Sequence, residues 1–164
     1  MPIIVVMCGL PASGKSYAVN RFLEQGDMVV CSTDAYIEKY ACMVGKTYND
    51  VFSECIDEAT KVMWQTFYDA VKARNDIIMD QTNLTVKKRK YILDCLESVY
   101  ANAEYYKVAY VVPMPDMNTW QARLRGRPGK TIPSNVLNSM ATNYVKPTLG
   151  EGFDAIRPIE ITKE

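Results

Sequence analysis

No histidine occurs anywhere in the 164 residues. That absence excludes Ser-His-Asp hydrolysis, phosphodiesterase chemistry built on His-x-Thr, and any metal site with imidazole ligands. The general bases left are carboxylate, lysine, tyrosine and cysteine. Net charge is also missing: 19 Lys+Arg balance 19 Asp+Glu, and the sequence pI is near 6.3. A protein that coats long stretches of duplex is normally broadly basic, so the balance argues against such coating but leaves room for a local basic patch. No apolar run approaches the ~18 continuous residues of a membrane span. The start, Met1-Pro2-Ile3-Ile4, lacks the basic region, apolar stretch and cleavage site of a signal peptide. The five cysteines (Cys8, Cys31, Cys42, Cys55, Cys95) form no C-x-x-C pair. Zinc spacing is therefore absent, and an odd number of idle thiols suits a reducing compartment, with the cytoplasm expected.

The length suggests one domain with a real core, and 48% hydrophobic with 23% charged residues is ordinary for a globular chain. Strand-like apolar runs alternate with helical ones, which predicts an α/β fold around a mostly parallel sheet. The spacing places strands at Pro2–Cys8, Met28–Ser32, Asp76–Met79, Tyr105–Val112 and Ile156–Ile161. A helix is expected from Lys15 to Gln25, with Ala18, Val19, Phe22 and Leu23 inward and Gly26 as its stop. The longest one should run to Arg74 with Asn49-Asp50 as its cap. Its inward stripe is read as Val51, Phe52, Cys55, Ile56, Ala59, Val62, Met63, Thr66, Phe67, Ala70 and Val71, recurring at i, i+3, i+4. Thr85 should cap a helix over Val86–Tyr100, with Tyr91, Ile92, Cys95, Leu96 and Val99 inward. Further helices are expected over Met117–Leu124 and from Pro133 or Ser134 to Tyr144.

Directly behind the first strand stands Gly9-Leu-Pro-Ala-Ser-Gly14-Lys15-Ser16, a complete P-loop pattern. By chance it occurs in roughly one chain in two hundred of this length at average residue usage. Here the required strand precedes it and a helical pattern follows. Glycines in such a loop let backbone N–H groups turn inward around phosphates, and the following helix points its positive end at them. The cradle comprises Gly9, Ala12, Ser13, Gly14, Lys15 and Ser16, with Tyr17 next in line for the nucleotide. Lys15 is expected on the β- and γ-phosphates and Ser16 on Mg²⁺. A nucleoside triphosphate, ATP or another NTP, is thus the expected ligand, with Mg²⁺.

Switch and motor NTPases carry a D-x-x-G after the second or third strand, and this chain does not. Small P-loop kinases instead place an acceptor carboxylate after the second strand and an arginine-rich lid late in the chain. Asp34, in Ser32-Thr33-Asp34, follows the second strand and so lies on the ligand rim of an open sheet. It is the best-placed general base, and equally it is positioned to cap a helix over Ala35–Tyr40. Arg123, Arg125, Arg127 and Lys130, interrupted by Gly126, Pro128 and Gly129, suit a lid over residues 123–131; a solvated basic loop is the alternative. Asp80, ending the third strand, suits water-mediated Mg²⁺ binding or orientation of the acceptor. Thr82 and Asn83 behind it are acceptor candidates or helix caps.

Together, "GLPASGKS", "STDAY", "DQTNLTVKKR" and "RLRGRPGKTIPSNVLNSM" resemble the kinase domain of the phage polynucleotide 5′-hydroxyl kinases. The resemblance spans nearly the whole chain, and the last stretch is its most specific part. It implies a P-loop kinase three-layer sandwich, with helices on both faces of the sheet, acting on the 5′-hydroxyl end of DNA or RNA. It also implies a kinase domain standing alone, without a D-x-D-x-T phosphatase motif, in the cytoplasm of an infected host cell if phage-encoded. By the resemblance Lys15 and Ser16 match the pair on the donor phosphates and metal. Asp34 matches the general base, Arg127 matches the lid arginine on the donor phosphates, Arg123 matches a second family arginine one helical turn earlier that is expected in the nucleotide site, and Thr82 and Asn83 match a Thr-Asn pair near the acceptor. Two positions depart from the family pattern. Ile37, flanked by Glu38 and Lys39, stands where an arginine grips the acceptor phosphate, and Gln81 stands where an aspartate precedes Thr-Asn. Lys39 is the neighbouring cation that remains for the acceptor. The run Lys87-Lys88-Arg89-Lys90 is a second candidate to receive a nucleic-acid backbone, with a solvated helix face as its alternative. A different hydroxyl acceptor (nucleoside, small metabolite, antibiotic or aminoacyl-tRNA) stays open on the evidence of Ile37. Tyr36 is a candidate for base stacking or simple packing.

Overall fold

A computed structural model describes residues 1–99 and 104–158. β1 (Ile3–Cys8) is followed by α1 (Lys15–Gln25), β2 (Val29–Cys31), α2 (Thr33–Val44) and α3 (Tyr48–Lys72). Then come β3 (Ile77–Met79), α4 (Val86–Val99), β4 (Tyr106–Val111), α5 (Met117–Arg125) and α6 (Ser134–Asn143). A 3₁₀ turn (Leu149–Glu151) leads into β5 (Ala155–Pro158). The strands form one sheet in the order β2-β3-β1-β4-β5, every neighbouring pair parallel. Val5 of β1 lies opposite Ile78 of β3 and Val108 of β4.

A parallel sheet covered on both faces needs strands that are apolar throughout rather than alternating. β1 meets this condition: Ile4 to Cys8 are fully buried. Val5, Met7 and Ile78 pack against Ala18 and Val19 of α1 on one face. Ile4, Val6, Cys8, Ile77 and Met79 pack against Met63, Phe67, Ile92 and Leu96 of α3 and α4 on the other. The expected three-layer α/β arrangement is thus the observed one. At the carboxyl ends of the strands, Leu10, Leu84 and Trp120 cluster with Leu124, Leu137 and Met140 of α5 and α6.

Several local expectations are corrected. The cap of α3 is Thr47, not Asn49-Asp50. Thr47 Oγ1 accepts from the Asp50 N–H at 3.2 Å and the Thr47 N–H donates to Asp50 Oδ2 at 3.1 Å, a reciprocal box that satisfies two otherwise orphaned donors. Phe52 and Val62 are 40% and 38% exposed rather than core. The first half of α3 packs on α2, through Ile37, Ala41, Val51, Cys55 and Ala59, and the second half packs on the sheet. Each partner covers a narrower stripe than the sequence offers. Leu23 and Tyr91 likewise face outward, and Tyr91 sets its ring edge against Trp64. Helix α2 runs past Tyr40 to Val44, where Gly45 in the left-handed conformation (φ 69°) returns its N–H to Ala41 and Cys42. Thr85 does cap α4, its Oγ1 accepting from the Lys88 N–H at 3.2 Å. Tyr100, and the last strand beyond residue 158, lie outside the described residues. No helix among those described is long and apolar enough to cross a membrane.

Candidate active site

The P-loop joins β1 to α1, and its shape follows from its small residues. A Cβ on Gly9 would stand 3.0 Å from both Ser13 Oγ and Val112 Cβ. Gly14, at φ 118°, caps α1 where a side chain would be strained. Neighbouring elements hold the loop in place. The Trp120 Nε1–H of α5 donates to the Pro11 carbonyl at 2.7 Å, and the Gly9 N–H donates to the Thr82 carbonyl at 3.0 Å. Arg123 Nη1 donates to the Ser13 carbonyl at 3.1 Å. Ser13 spends its hydroxyl inside the loop, donating to the Leu10 carbonyl at 2.6 Å. It shapes the cradle from within, with its side chain buried.

Lys15 Nζ donates to the carbonyls of Gly9 at 3.0 Å and Leu10 at 2.9 Å. Burial pulls its pKa down to about 8; Asp80 and Asp34 oppose that shift, while Arg127 and Lys130 add to it. Asp80 is displaced upward by burial against the pull of Lys15, and its N–H ties β3 to the Cys31 carbonyl of β2. Arg127 Nη1 is buried with no hydrogen-bond partner. An unpaired buried guanidinium nitrogen is costly, and phosphate oxygens are the groups that would satisfy it. The chemistry of Lys15, Arg123 and Arg127 therefore fits a nucleotide's phosphates. Ser16, in the first turn of α1, and Asp80, at the exit of β3, are the oxygen-bearing side chains that could hold Mg²⁺. Among the described residues no cluster of three or more His, Cys, Asp or Glu is present, so phosphate and water would supply the other ligands.

On the acceptor side, Ser32 caps α2: its Oγ accepts from the Ala35 N–H at 3.4 Å. Asp34 is thereby released from capping, and its carboxylate lies in the first turn of the helix with 49% of the side chain exposed. Tyr48, the first residue of α3, donates its phenol to Asp34 Oδ1 at 2.6 Å. Lys130 donates to Asp34 Oδ2 at 3.1 Å and to Glu38 Oε1 at 2.7 Å, and lies 4.6 Å from the centre of the Tyr48 ring. Burial pushes the Asp34 pKa up, but the Tyr48 hydrogen bond, Lys130 and Arg127 outweigh it and hold it below the usual carboxylate range. The segment carrying Lys130 is docked on α3. The Gly129 carbonyl accepts from the Asn49 N–H at 2.8 Å, and Asn49 Nδ2 donates to Thr131 Oγ1 at 2.6 Å.

Lys15, Asp34, Asp80, Arg127 and Lys130 thus share one electrostatic site. Other expected residues fall outside it. Asn83 is 2% exposed, and its Nδ2 donates to the Met7 carbonyl at 2.7 Å. It sits at φ 44°, which asparagine tolerates better than most residues. It braces β1 against the exit of β3, while Thr82 beside it is half-exposed. Arg89 is fully buried and paired with Glu151, so the Lys87–Lys90 run is not a continuous cationic patch. Lys39 is exposed, five residues past Asp34 and so turned about 140° around α2 from it. Ile37 is buried in the α2–α3 core, and Tyr36 packs beside it. Tyr17 is 60% exposed, with the Arg21 guanidinium 6.0 Å from its ring. The residues that sequence reading missed are Tyr48, Glu38 and Trp120, which no motif marks. A hollow of about 590 Å³ lined by Asp27, Arg74 and Asp76 opens at the amino ends of the strands, away from this chemistry.

A family model described as an AAA domain matches residues 4–147. A candidate kinase from Chloroflexus aurantiacus J-10-fl is similar in structure at 16% identity and TM-score 0.67, covering 96% of this chain and 88% of that one. A gluconokinase from Sinorhizobium meliloti 1021 is similar at 17% identity and TM-score 0.55, covering 99% and 85%. Kti12 of Chaetomium thermophilum, solved with ADP-AlF3, is similar at 16% identity and TM-score 0.55, covering 98% and 90%. At these identities the shared property is the fold. With a family model matching most of its length, the chain belongs to the AAA domain family, as a P-loop protein of kinase-like fold.

Proposed function

We propose that the protein transfers the γ-phosphoryl group of ATP to the 5′-hydroxyl end of DNA or RNA. The observation that carries phosphoryl transfer is the half-exposed Asp34 carboxylate on the rim shared with Lys15 and the unpartnered Arg127 nitrogen. The acceptor oxygen attacks the γ-phosphorus in line, the bond to the β,γ-bridging oxygen breaks, and ADP leaves. Asp34 takes the hydroxyl proton. Lys15 and Arg127 stabilise charge on the transferring group, and arginines used this way are worth about 10³–10⁵ in rate where dissected. Bound with the nucleotide, Mg²⁺ would neutralise phosphate charge beside Ser16 and Asp80. Segment 123–131 acts as the lid.

The polynucleotide acceptor rests on the resemblance of "RLRGRPGKTIPSNVLNSM". Burial of Ile37 and Arg89 favours a second reading, a smaller hydroxyl acceptor, since neither position grips an acceptor phosphate. Transfer of labelled γ-phosphate to 5′-hydroxyl DNA and RNA oligonucleotides, their 5′-phosphorylated twins, nucleosides and water decides between them. Labelling confined to 5′-hydroxyl oligonucleotides supports the first reading, and labelling of nucleosides alone supports the second. Asp34→Asn should abolish turnover on either and leave ATP affinity within about threefold; full activity in that variant removes Asp34 as the base.

A further inference from the structure

Asp34 is held asymmetrically. Oδ1 accepts from the Tyr48 phenol at 2.6 Å, and Oδ2 accepts from Lys130 at 3.1 Å. We infer that Tyr48 is a positioning residue for the base: it pins Oδ1 so that Oδ2 is the oxygen that takes the acceptor's proton. The inference rests on the phosphoryl-transfer reading above.

The two partners differ in how easily they can leave. Lys130 has a second carboxylate, Glu38, at the shorter distance of 2.7 Å, and its ammonium nitrogen lies 4.6 Å from the centre of the Tyr48 ring. It can release Oδ2 to an incoming hydroxyl without losing its ion pair. Tyr48 has no such alternative: its one donated hydrogen bond goes to Asp34. Its backbone is fixed in the first turn of α3 behind the Thr47–Asp50 capping box, and its ring is tilted against Phe52 at 5.7 Å. Burial, followed by the bond to Asp34, pushes the phenol's pKa up, so it stays a donor across the working pH range.

The pin matters because the terminal torsion of an aspartate is broad. A carboxylate free to turn would present its proton-accepting lone pair in many directions. The other charged groups facing Asp34 are Lys15, Arg127 and Asp80, from the P-loop, the basic segment and the exit of β3. They act through space and set charge rather than direction. Tyr48 alone among these groups is neutral, so its bond to Oδ1 fixes direction and favours the carboxylate form without adding a charge to the site.

The test uses the full chain and two readouts. In the first, the Asp34 carboxyl is titrated by ¹³C NMR with no acceptor present. Tyr48→Phe should move its midpoint upward, because a hydrogen bond to the charged form has been lost. An unmoved midpoint overturns the inference whatever the acceptor is. In the second, steady-state kinetics use the acceptor that the labelling panel selects. Tyr48→Phe should lower kcat about 10- to 100-fold, the scale of a misoriented catalytic group, with KM for ATP unchanged. Wild-type kcat in Tyr48→Phe, or a rise in KM for ATP that accounts for the whole loss, overturns the inference. Phe52→Leu, which alters the packing of the ring but leaves the phenol in place, controls for a structural effect. A wild type that labels small hydroxyl compounds but no oligonucleotide overturns the polynucleotide acceptor alone, and both readouts on Tyr48 still apply.

Discussion

Arg89 and Glu151 form a two-pronged ion pair inside the protein, Nε to Oε1 at 2.8 Å and Nη2 to Oε2 at 3.2 Å. The Arg89 side chain is 0% exposed and that of Glu151 7%. A third donation, from Nη1 to the Asn83 carbonyl at 3.0 Å, links the pair to the brace behind the P-loop. The last turn before β5 is thereby fastened to α4 and to the exit of β3.

Removing one member of a buried pair leaves the other charge without its partner, at about 3–5 kcal/mol. Arg89→Met and Glu151→Gln should each lower the unfolding free energy by that order, read by chemical denaturation. Lys87→Ala and Lys88→Ala, at exposed positions of the same helix, should leave it within about 0.5 kcal/mol. Equal effects at all four positions would mean that the pair is not the anchor.

Gly129 is the point where the basic segment meets the cap of α3. At φ 70° an added Cβ would stand 2.5 Å from Thr47 Cβ, a distance at which something must move. Gly129→Ala should undock the segment, carrying Lys130 and Arg127 away from Asp34. We expect kcat/KM to fall about 10-fold or more, on the scale of a displaced catalytic group. The melting temperature should shift by only a few degrees, since the contact lies outside the core. Activity equal to wild type would show that docking on Thr47 is dispensable.

Lys15 has a pKa of about 8 in the ligand-free protein, and nucleotide phosphates favour its charged form. ATP binding near pH 8.5 should therefore take up protons, measurable by calorimetry in buffers of different ionisation enthalpy. Affinity should weaken as pH rises through that range, and Lys15→Met should abolish the uptake. The sign for stability is the reverse. Because the folded value lies below the unfolded one, the cost of burying this charge is fully present below pH 8. It fades as pH climbs toward the unfolded value of about 10.4, so this group's contribution to stability rises with pH.

Sequence legibility followed how local each feature is. The P-loop could be read because strand, glycines, Lys15 and Ser16 are contiguous and their chemistry is carried by the backbone. Asp34 could be placed on the rim from its position after a strand. Its competing role as a helix cap was undecidable until Ser32 was seen to occupy that role. Tyr48 and Lys130 were invisible as partners, lying 14 and 96 residues from Asp34 with no spacing to connect them. Arg89 misled for the opposite reason: between lysines it reads as surface, and only Glu151, 62 residues away, makes its burial tolerable.

What the sequence by itself determined is the alternation of apolar runs and amphipathic helices, and with it a parallel sheet carrying a phosphate cradle at the end of its first strand. These depend on hydrophobic period and backbone geometry, which act over a few residues. The tertiary structure alone decided which carboxylate Tyr48 and Lys130 hold, which arginine is paired with Glu151 in the interior, and which cation bridges Asp34 and Glu38. A charged side chain's role is set by the partners and dielectric around it, and folding brings those partners from distant parts of the chain.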